Sequence, residues 1–505
     1  MIAGQRRQVL IVGFGPVGAT LAGLLGVAGV DVLAIDKSEE IYPLPRAGHF
    51  DHEIMRVFQH LGIADAALAQ TRVVTDYEFR NAAGEVLVSM SALDGQLAIS
   101  GWATSYMFNQ PAVERALRDR VASFPSVEIA LGTEFRSVRA STSGIEATLD
   151  TPDGEIVIEA EWLVGCDGAW SPVRETAGMR LTDLHFDEPW LVIDALTAKG
   201  HDLPRKNLQI CDPARPTTCL PLGPGRHRWE FMMRPGETAE AVMEEGFIRQ
   251  LLAPWGAQDI EIDRKAVYRF HGLVAERWRE GRALIAGDAA HQMPPFAGQG
   301  MCSGIRDAAN LAWKLAEVLK GLAGPELLDS YQLEREPNVR AYIELSIAMG
   351  RVVCTQDPAQ AQARDEAMLA ARAAGRPSLP PAAPPPLSGP AIRSGAPAAG
   401  EIFPQATAAG GAHIQRLDDV LGPGAWLISR TGADTKRQAG VTEVVTKDPR
   451  LALFRTTLER WLDARDAQAV LVRPDRYVFG TGRPDELIGA WTTAMRRPAN
   501  AAATV

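Results

Sequence analysis

The chain has 505 residues, of which 46% are hydrophobic and 23% charged, with a formal net charge of −10. This length exceeds one ordinary core, so two or three domains are expected, and the composition excludes a disordered chain. The acidic balance argues against a nucleic-acid partner or a polybasic membrane surface. The five cysteines form no C-x-x-C pair and fit no zinc site, so a reducing cytoplasm is the expected setting.

The first segment predicts a strand at residues 9–12, a helix at about 16–28 and a second strand at 31–35. The turn between the first strand and the helix reads GFGPVG, a G-x-G-x-x-G pattern that is weak by itself. Its position between a strand and a helix makes the pattern more specific for dinucleotide binding, because the pyrophosphate of a dinucleotide binds at such a helix N-terminus. A tight turn without a ligand is the alternative.

Each residue of this pattern has a separate expected task. Gly13 permits the tight turn, Gly15 lets a pyrophosphate approach the backbone, and Gly18 allows close packing. Asp36, at the end of the second strand, can accept hydrogen bonds from both ribose hydroxyls. The pattern therefore predicts a site for the ADP half of a dinucleotide.

The middle of the chain is mixed. Residues 155–160 and 162–164 predict strand before a turn at Asp167-Gly168, which standing alone is an ordinary turn. Residues 185–270 contain many short apolar runs, so we interpret them as a sheet-rich domain inserted into the first. Within that domain, residues 226–228 are interpreted as a solvated loop, and steering of an anionic substrate is the alternative.

A third motif, GDAAHQMPPFAGQG, begins at Gly287 and follows a predicted strand at 282–286. Asp288 can bind polyol hydroxyls, although a helix-flanking turn carboxylate is the alternative. The loop leads into a helix predicted at 301–322, whose open N-terminus can stabilise negative charge on a bound ligand.

The composition changes near residue 357, where Ala and Pro begin to dominate up to residue 400, including Pro381. We interpret this stretch as a linker or surface arm stiffened by polyproline geometry. The remaining residues, with a strand at 469–472, predict a small α/β domain.

The three motifs, in this order and spacing, resemble the FAD-dependent aromatic hydroxylases of the para-hydroxybenzoate hydroxylase class over roughly residues 8–350. The run GDAAHQMPPFAGQGMCSGIRDAANLAWKL is especially similar to the 3-(3-hydroxyphenyl)propionate hydroxylase branch. Pro45-Arg46-Ala47-Gly48 resembles the mobile FAD-contacting loop of that class, and Gln110 its flavin-contacting glutamine. The C-terminal VLVRPDRYV is similar to the thioredoxin-like tail of the phenol-hydroxylase branch, here without a C-x-x-C pair.

This resemblance implies an α/β fold with a Rossmann-like FAD-binding domain, a sheet-rich substrate domain and a redox-inert thioredoxin-like C-terminal domain. The expected boundaries are 1–75, 101–180 and 271–355 for the FAD-binding domain, 76–100 and 181–270 for the substrate domain, 356–400 for the linker, and 401–497 for the thioredoxin-like domain.

The resemblance also implies non-covalent FAD, with NADH or NADPH as a co-substrate that has no Rossmann domain of its own. The residues expected to hold FAD are Gly13, Gly15, Gly18, Asp36, Arg46, Gln110, Asp167, Gly168, Asp288, Pro295, Gly298, Gln299 and Gly300. Among them, Asp167 and Gly168 are expected near the pyrophosphate and the NAD(P)H path. Asp288 is expected at the ribityl chain, and Pro295 to Gly300 at the isoalloxazine ring.

The implied reaction is hydroxylation of a phenolic ring, such as 3-(3-hydroxyphenyl)propionate, by O₂ through a flavin C4a-hydroperoxide. Candidate catalytic residues are those in or near loops expected to line the active site, namely His49, Tyr106, His271, Gln292 and Pro295. For each histidine a structural role is the alternative. A homodimer is one oligomeric state left open by the sequence.

Three other functions remain open at this point. The chain could hydroxylate a polyketide, antibiotic or N-heterocyclic ring, because the PRAGHFDH segment differs from the Pro-Arg-Ala-Ile-Gly expected in the propionate hydroxylases. A flavin redox or sensor module that does not oxygenate is a second alternative. A membrane-associated epoxidase is a third, and the lack of an apolar C-terminal anchor argues against it.

Overall fold

The computed structural model describes residues 6–43, 46–74, 76–91, 96–141, 144–197, 201–380, 384–410, 413–432 and 439–496. Pro45 of the expected flavin loop and Pro381 of the expected linker lie outside the described residues. Among the described residues, no helix is both long and apolar enough to cross a membrane.

The secondary structure of the first 180 residues is β1 (Arg6–Val12), α1 (Pro16–Val27), β2 (Val32–Asp36), β3 (His49–Asp51), α2 (His52–Leu61), α3 (Ala64–Leu68), β4 (Thr71–Val73), β5 (Asp76–Asn81), β6 (Val86–Ser91), β7 (Ser105–Phe108), α4 (Gln110–Ala122), β8 (Val127–Leu131), β9 (Glu134–Ala140), β10 (Ile145–Thr151), β11 (Gly154–Gly165) and α5 (Pro172–Thr176). The next part contains β12 (Leu181–Leu196), β13 (Asn207–Cys211), β14 (Thr217–Pro221), β15 (Arg226–Met232), α6 (Ala239–Val242), α7 (Glu245–Leu252), β16 (Glu261–Ala275), β17 (Arg279–Glu280), β18 (Ala283–Ile285) and β19 (His291–Gln292). The remainder contains α8 (Gly300–Leu319), α9 (Asp329–Val353), α10 (Pro358–Ala373), β20 (Thr407–Gly410), β21 (His413–Arg416), α11 (Leu417–Leu421), β22 (Ala425–Ser429), β23 (Val441–Val445), α12 (Arg455–Asp463), β24 (Ala469–Val472), β25 (Val478–Gly482) and α13 (Pro484–Arg496).

The first sheet has the strand order β17-β18-β11-β1-β2-β8, extended by β10 and β9. The strands β18, β11, β1, β2 and β8 run parallel to one another. Helix α1 packs against β1, β2 and β8 of this sheet, and it contacts both α4 and α8. Its inner strands are apolar where they are buried, as in the fully buried Val9, Leu10 and Ile11 of β1. The predicted Rossmann-like domain is confirmed.

The second sheet has the order β19-β16-β12-β15-β14-β13-β5-β6 and is antiparallel except between β13 and β5. Residues 226–228, which the sequence predicted as a solvated loop, belong to the strand β15. His227 and Arg228 are both buried there. A strand covered on both faces can carry such polar residues when each has a partner, and Arg228 pairs with Asp194 of β12.

The Ala/Pro-rich stretch at 356–400, interpreted as a polyproline linker, contains the helix α10 in its first half. Asp357 caps this helix by accepting from the backbone N–H of Gln360 at 2.8 Å, and Pro358 occupies its first turn. Alanine is the strongest helix former and proline is tolerated at this position, so the first half of the stretch becomes helical. In the second half, Leu387 and Ala391 are buried.

The C-terminal part forms a mixed four-stranded sheet in the order β23-β22-β24-β25. Strands β22 and β23 are parallel, and the other two pairs are antiparallel. Buried polar contacts attach this sheet to the first domain. Arg473 donates to Glu334 of α9 at 2.8 Å, and Tyr477 donates to the carboxylate of Glu53 on α2.

Candidate functional site

A cavity of about 1760 Å³ extends from the Gly-rich turn after β1 to the face of the second sheet. Most residues expected to hold FAD line it, namely Gly13, Gly15, Asp36, Arg46, Gln110, Asp167, Gly168, Asp288, Pro295, Gly298 and Gly300. Residues that are far apart in sequence therefore meet in one continuous space. This cavity is the candidate active site.

The three glycines of the turn have different surroundings. Gly13 has a φ of +93°, and a β-carbon there would lie 2.4 Å from the carbonyl oxygen of Cys166. A β-carbon on Gly18 would lie 1.9 Å from the carbonyl oxygen of Gly13, so Gly18 serves packing and does not line the cavity. A β-carbon on Gly15 would meet no protein atom within 4 Å. Gly15 therefore leaves space where a pyrophosphate can approach the backbone.

Helix α1 begins at this turn without a side-chain cap. Its first backbone N–H groups are therefore available to an anion, and the helix dipole favours negative charge there. Asp36 accepts hydrogen bonds from the backbone N–H of Phe14 at 2.8 Å and of Ser38 at 2.9 Å. These bonds fix the carboxylate at the cavity wall, and its remaining lone pairs can accept ribose hydroxyls.

The start of α4 presents unsatisfied polar atoms at the cavity. Gln110 donates to Glu114 at 3.2 Å, and Arg118 donates to the same carboxylate at 2.8 Å. Burial raises the pKa of Glu114. The buried Oε1 of Gln110 and Nε of Arg118 have no hydrogen-bond partner among the described residues. Buried polar atoms are normally paired, so an acceptor and a donor here fit a polar ligand such as FAD.

The turn after β11 supplies a further unsatisfied atom. Asp167 accepts from the backbone N–H of Val173 at 3.0 Å through one oxygen, while its other oxygen, Oδ1, has no partner among the described residues. Burial raises the pKa of this carboxyl. The neighbouring Gly168 has a φ of +83° and open space around it. These properties fit a close approach by the cofactor.

A buried ion-pair chain supports the third motif from behind. His291 Nε2 lies 2.6 Å from Asp307 of α8, and Asp307 also accepts from Arg335 of α9 at 2.9 Å. Although burial alone would raise the pKa of Asp307, His291 and Arg335 lower it. The same carboxylate accepts from the backbone N–H of Gly287 at 3.2 Å. This chain fixes the turn that presents Asp288 to the cavity.

The loop before α8 divides its residues between two tasks. Pro295, Gly298 and Gly300 line the cavity, whereas the side chain of Gln299 is buried away from it. Gln299 donates to Asp51 at 3.3 Å and accepts from Arg306 at 2.9 Å. Gln299 therefore holds the loop in place, and the backbone of the loop borders the cavity.

The candidate catalytic residues also fall into two groups. His49, His271, Gln292 and Pro295 line the cavity. Tyr106 does not, because its ring stacks on Phe50 at 5.2 Å and its hydroxyl accepts from a backbone N–H at 2.8 Å. The structure therefore places Tyr106 in the core.

The histidines of the cavity have specific partners. His49 Nδ1 lies 3.0 Å from the carbonyl oxygen of Gly298, and burial lowers the pKa of this histidine. His271 Nδ1 lies 3.6 Å from Asp187 on the neighbouring strand. Gln292 donates to the carbonyl oxygen of Ala169 at 3.2 Å.

The sequence analysis missed a polar strip on the face of the second sheet. Four of its residues line the cavity, each from a different strand, namely Tyr77, Gln209, Thr218 and Glu230. In the sequence of β15, RHRWEFM, charged and aromatic side chains alternate from Arg228 to Phe231. An alternation of charged and apolar residues is the signal that could have identified a strand with one face toward a polar cavity.

Residues 6–346 match the family model described as FAD binding domain. The chain belongs to this FAD-binding family. Residues 435–497 match the model described as HcaD C-terminal domain. FAD, the cofactor of this family, fits the polar atoms that lack a hydrogen-bond partner among the described residues, on Gln110, Arg118 and Asp167. It also fits the open space at Gly15.

Two relatives from bacteria match nearly the whole chain. A probable NADH-specific resorcinol 4-hydroxylase from Rhodococcus jostii (strain RHA1) is 39% identical over 98% of this chain and 97% of its own length. A 3-(3-hydroxy-phenyl)propionate/3-hydroxycinnamic acid hydroxylase 2 from Burkholderia vietnamiensis (strain G4 / LMG 22486) is 32% identical over 94% of this chain and 93% of its own.

A solved structure shares the whole architecture. Aklavinone-11 hydroxylase, in a ternary complex with FAD and aklavinone, superposes with a TM-score of 0.79 at 25% identity over 97% of this chain and 99% of its own. Together these findings make the chain an FAD-dependent aromatic hydroxylase that uses a nicotinamide co-substrate.

Proposed function

We propose that the chain hydroxylates a single-ring phenol of the resorcinol type, with NADH as the electron donor. The observation that carries this proposal is the polar strip, which faces the same cavity as the expected flavin-binding residues. A dihydroxybenzene offers two hydroxyl groups for such a strip and an electron-rich ring for oxygen transfer. The near full-length similarity to a resorcinol 4-hydroxylase named as NADH-specific supports both the ring and the donor.

The charges on the sheet face favour a neutral substrate. Arg228 donates to both oxygens of Asp194, at 2.6 and 3.1 Å. Arg269 donates to both oxygens of Asp187, at 2.9 Å each. A substrate carboxylate would have to compete with these existing partners, and a neutral phenol would not.

A second substrate, 3-(3-hydroxyphenyl)propionate, has independent support. The relative named for this substrate matches 94% of the chain. It carries the same phenolic ring and adds a carboxylate, which would have to compete with Asp187 for Arg269, a cavity-lining side chain that is 58% exposed. The two substrates therefore share the reacting phenolic ring. They differ in the second substituent, which is a hydroxyl group in resorcinol and a propionate in the other.

The proposal is tested by NADH oxidation in air by the FAD-loaded protein, with resorcinol, 3-(3-hydroxyphenyl)propionate or no phenol. We expect resorcinol to give the largest kcat/KM and a trihydroxybenzene product equal to the NADH consumed. NADPH in place of NADH should lower kcat/KM. Stimulation that yields only hydrogen peroxide, or stimulation by neither phenol, would contradict the proposal.

A further inference from the structure

The polar strip continues as a chain of hydrogen bonds across adjacent strands. Gln209 of β13 is directly opposite Thr218 of β14, and Thr218 is directly opposite Glu230 of β15. Thr218 donates to Gln209 at 2.7 Å, and Gln209 donates to the hydroxyl of Tyr77 at 3.0 Å. Tyr77 in turn donates to the carbonyl oxygen of Phe296 at 2.7 Å. The strip is thereby connected to the loop that borders the expected flavin ring.

Three side chains in this series of hydrogen bonds have no atom that can take a proton from a substrate. The Tyr77 hydroxyl proton is committed to Phe296, and burial raises the pKa of Tyr77 well above its ordinary value. The hydroxyl of Thr218 and the amide of Gln209 have no basic lone pair at neutral pH. Tyr77, Gln209 and Thr218 can orient a ring, but they cannot accept its proton.

Glu230 differs from its neighbours on the strip. Its carboxyl is buried at the cavity wall, and its nearest cation, Arg228, lies 3.6 Å away. That distance is longer than a hydrogen bond. Arg228 is already occupied, because it donates to Asp194 and to the carbonyl oxygen of Arg46. Glu230 therefore has spare acceptor capacity toward the cavity.

The electrostatic surroundings of Glu230 suit proton transfer. Burial raises the pKa of its carboxyl, Arg228 lowers it, and Asp194 raises it further. Tyr77 of β5 interacts electrostatically with Glu230, and Tyr268 of β16 interacts in the same way with Arg228. A carboxylate with a raised pKa is a stronger base than an exposed one, so it is better matched to a phenolic proton.

We propose that Glu230 accepts the hydrogen bond of the substrate's phenolic hydroxyl and takes its proton as the ring is oxygenated. This assignment rests on the proposed phenol hydroxylation. The phenol O–H bond breaks and an O–H bond forms on Glu230, and the freed electron pair enters the ring. The ring then forms a C–O bond to one atom of O₂ as the O–O bond breaks, and the other oxygen atom leaves as water, with the two electrons supplied by NADH through the bound FAD. When the ring becomes aromatic again, its C–H proton balances the oxygen atom that leaves as water, and Glu230 returns its proton to the ring oxygen.

The variant Glu230→Gln tests this role, because an amide can bind a hydroxyl and cannot take its proton. We expect kcat with resorcinol to fall about 100-fold at pH 7, in the range of general-base catalysis. The resorcinol Kd, read from the absorbance change of the bound flavin, should change less than about threefold, since the hydrogen bond is retained. Raising the pH should restore kcat as resorcinol ionises in solution.

Two further variants complete the test. Glu245→Gln is the same change at an exposed position on α7 that, within the described part of the chain, forms an ion pair only with Arg249, and it should leave kcat, Kd and the pH profile unchanged. Glu230→Asp keeps the carboxylate, so it should retain the pH profile of the wild type with a lower kcat. Glu230→Asp replaces Glu230→Gln as the test variant if Glu230→Gln fails to fold or to retain FAD.

The outcomes separate this assignment from the proposed function. A wild-type protein that hydroxylates resorcinol, together with a Glu230→Gln protein of equal kcat and unchanged pH profile, would overturn the role of Glu230 alone. If only Glu230→Asp is soluble, loss of the wild-type pH profile in that variant would overturn it. A wild-type protein that yields no hydroxylated phenol would overturn the proposed function first.

Discussion

Two glycines of the turn after β1 should respond in opposite ways to an added methyl group. Gly15 and Gly18 lie three residues apart at the start of α1. A β-carbon on Gly18 would lie 1.9 Å from the backbone oxygen of Gly13, whereas one on Gly15 meets no protein atom within 4 Å. Gly18→Ala should therefore damage the fold, and Gly15→Ala should damage cofactor binding.

The cost of Gly18→Ala follows from the contact it creates. The nearest atom belongs to the backbone of the turn, so the clash requires the turn to shift by about an ångström, which typically costs about 1–3 kcal/mol. The apo-protein should unfold at a lower temperature than the wild type. FAD binding should weaken as well, because the turn itself has moved.

The effect of Gly15→Ala is confined to the ligand. Gly15 has a φ of −74°, which alanine adopts without strain, so the apo-protein should gain about 0.4–1 kcal/mol from a less flexible unfolded chain. The methyl group would occupy the space expected for the pyrophosphate. We expect a loss of at least tenfold in FAD affinity, or about 1.4 kcal/mol.

Thermal unfolding of the apo-protein and FAD titration by flavin fluorescence measure the two effects separately. Gly246→Ala, at another glycine with open space on α7, is the matched control and should leave FAD affinity unchanged. The reasoning is refuted if Gly15→Ala binds FAD as tightly as the wild type. It is equally refuted if Gly18→Ala leaves the unfolding temperature of the apo-protein unchanged.

Four further predictions concern stability. Asp307→Asn should lower the free energy of unfolding by about 3–5 kcal/mol, because it leaves the buried Arg335 without its carboxylate. Denaturant unfolding measures this loss, and an unchanged free energy of unfolding would contradict the prediction. Since the pKa of Asp307 is lowered in the folded protein, the wild type should lose this contribution as the pH falls below about 3.9. Tyr106→Phe should lose about 1 kcal/mol and keep its kcat, whereas a large fall in kcat would restore Tyr106 as a catalytic residue. Tyr477→Phe, which loses its bond to the Glu53 carboxylate, should lower the unfolding temperature by a measurable amount while the purified protein keeps a full complement of FAD.

The sequence predicts the cofactor end of the site well because that end is built from short segments with local rules. The turn from Gly13 to Gly18 lies between the predicted strand and helix, and Asp36 ends the next strand as expected. Asp288 likewise follows a short buried strand and precedes a helix. The conformation at each of these positions is decided by residues only a few places away, so the amino-acid pattern is enough to predict it.

The substrate end could not be predicted because strand pairing over long separations decides which side chains meet there. Tyr77 and Gln209 are neighbours only because β5 pairs with β13. Likewise, Tyr106 faces the core while the adjacent Met107 lines the cavity, since successive side chains of a strand point to opposite faces. Glu230 reaches the cavity by the same alternation, which was invisible while residues 226–228 were interpreted as a loop.

The most direct test of the central claim is the origin of the oxygen atom in the product. The FAD-loaded protein would oxidise NADH with resorcinol under isotope-labelled dioxygen, and the product would be analysed by mass spectrometry. We predict a trihydroxybenzene that carries a single labelled oxygen atom and forms in a one-to-one ratio with the NADH consumed. A product without the label, or NADH oxidation without a hydroxylated product, would contradict an FAD-dependent aromatic hydroxylase of phenols.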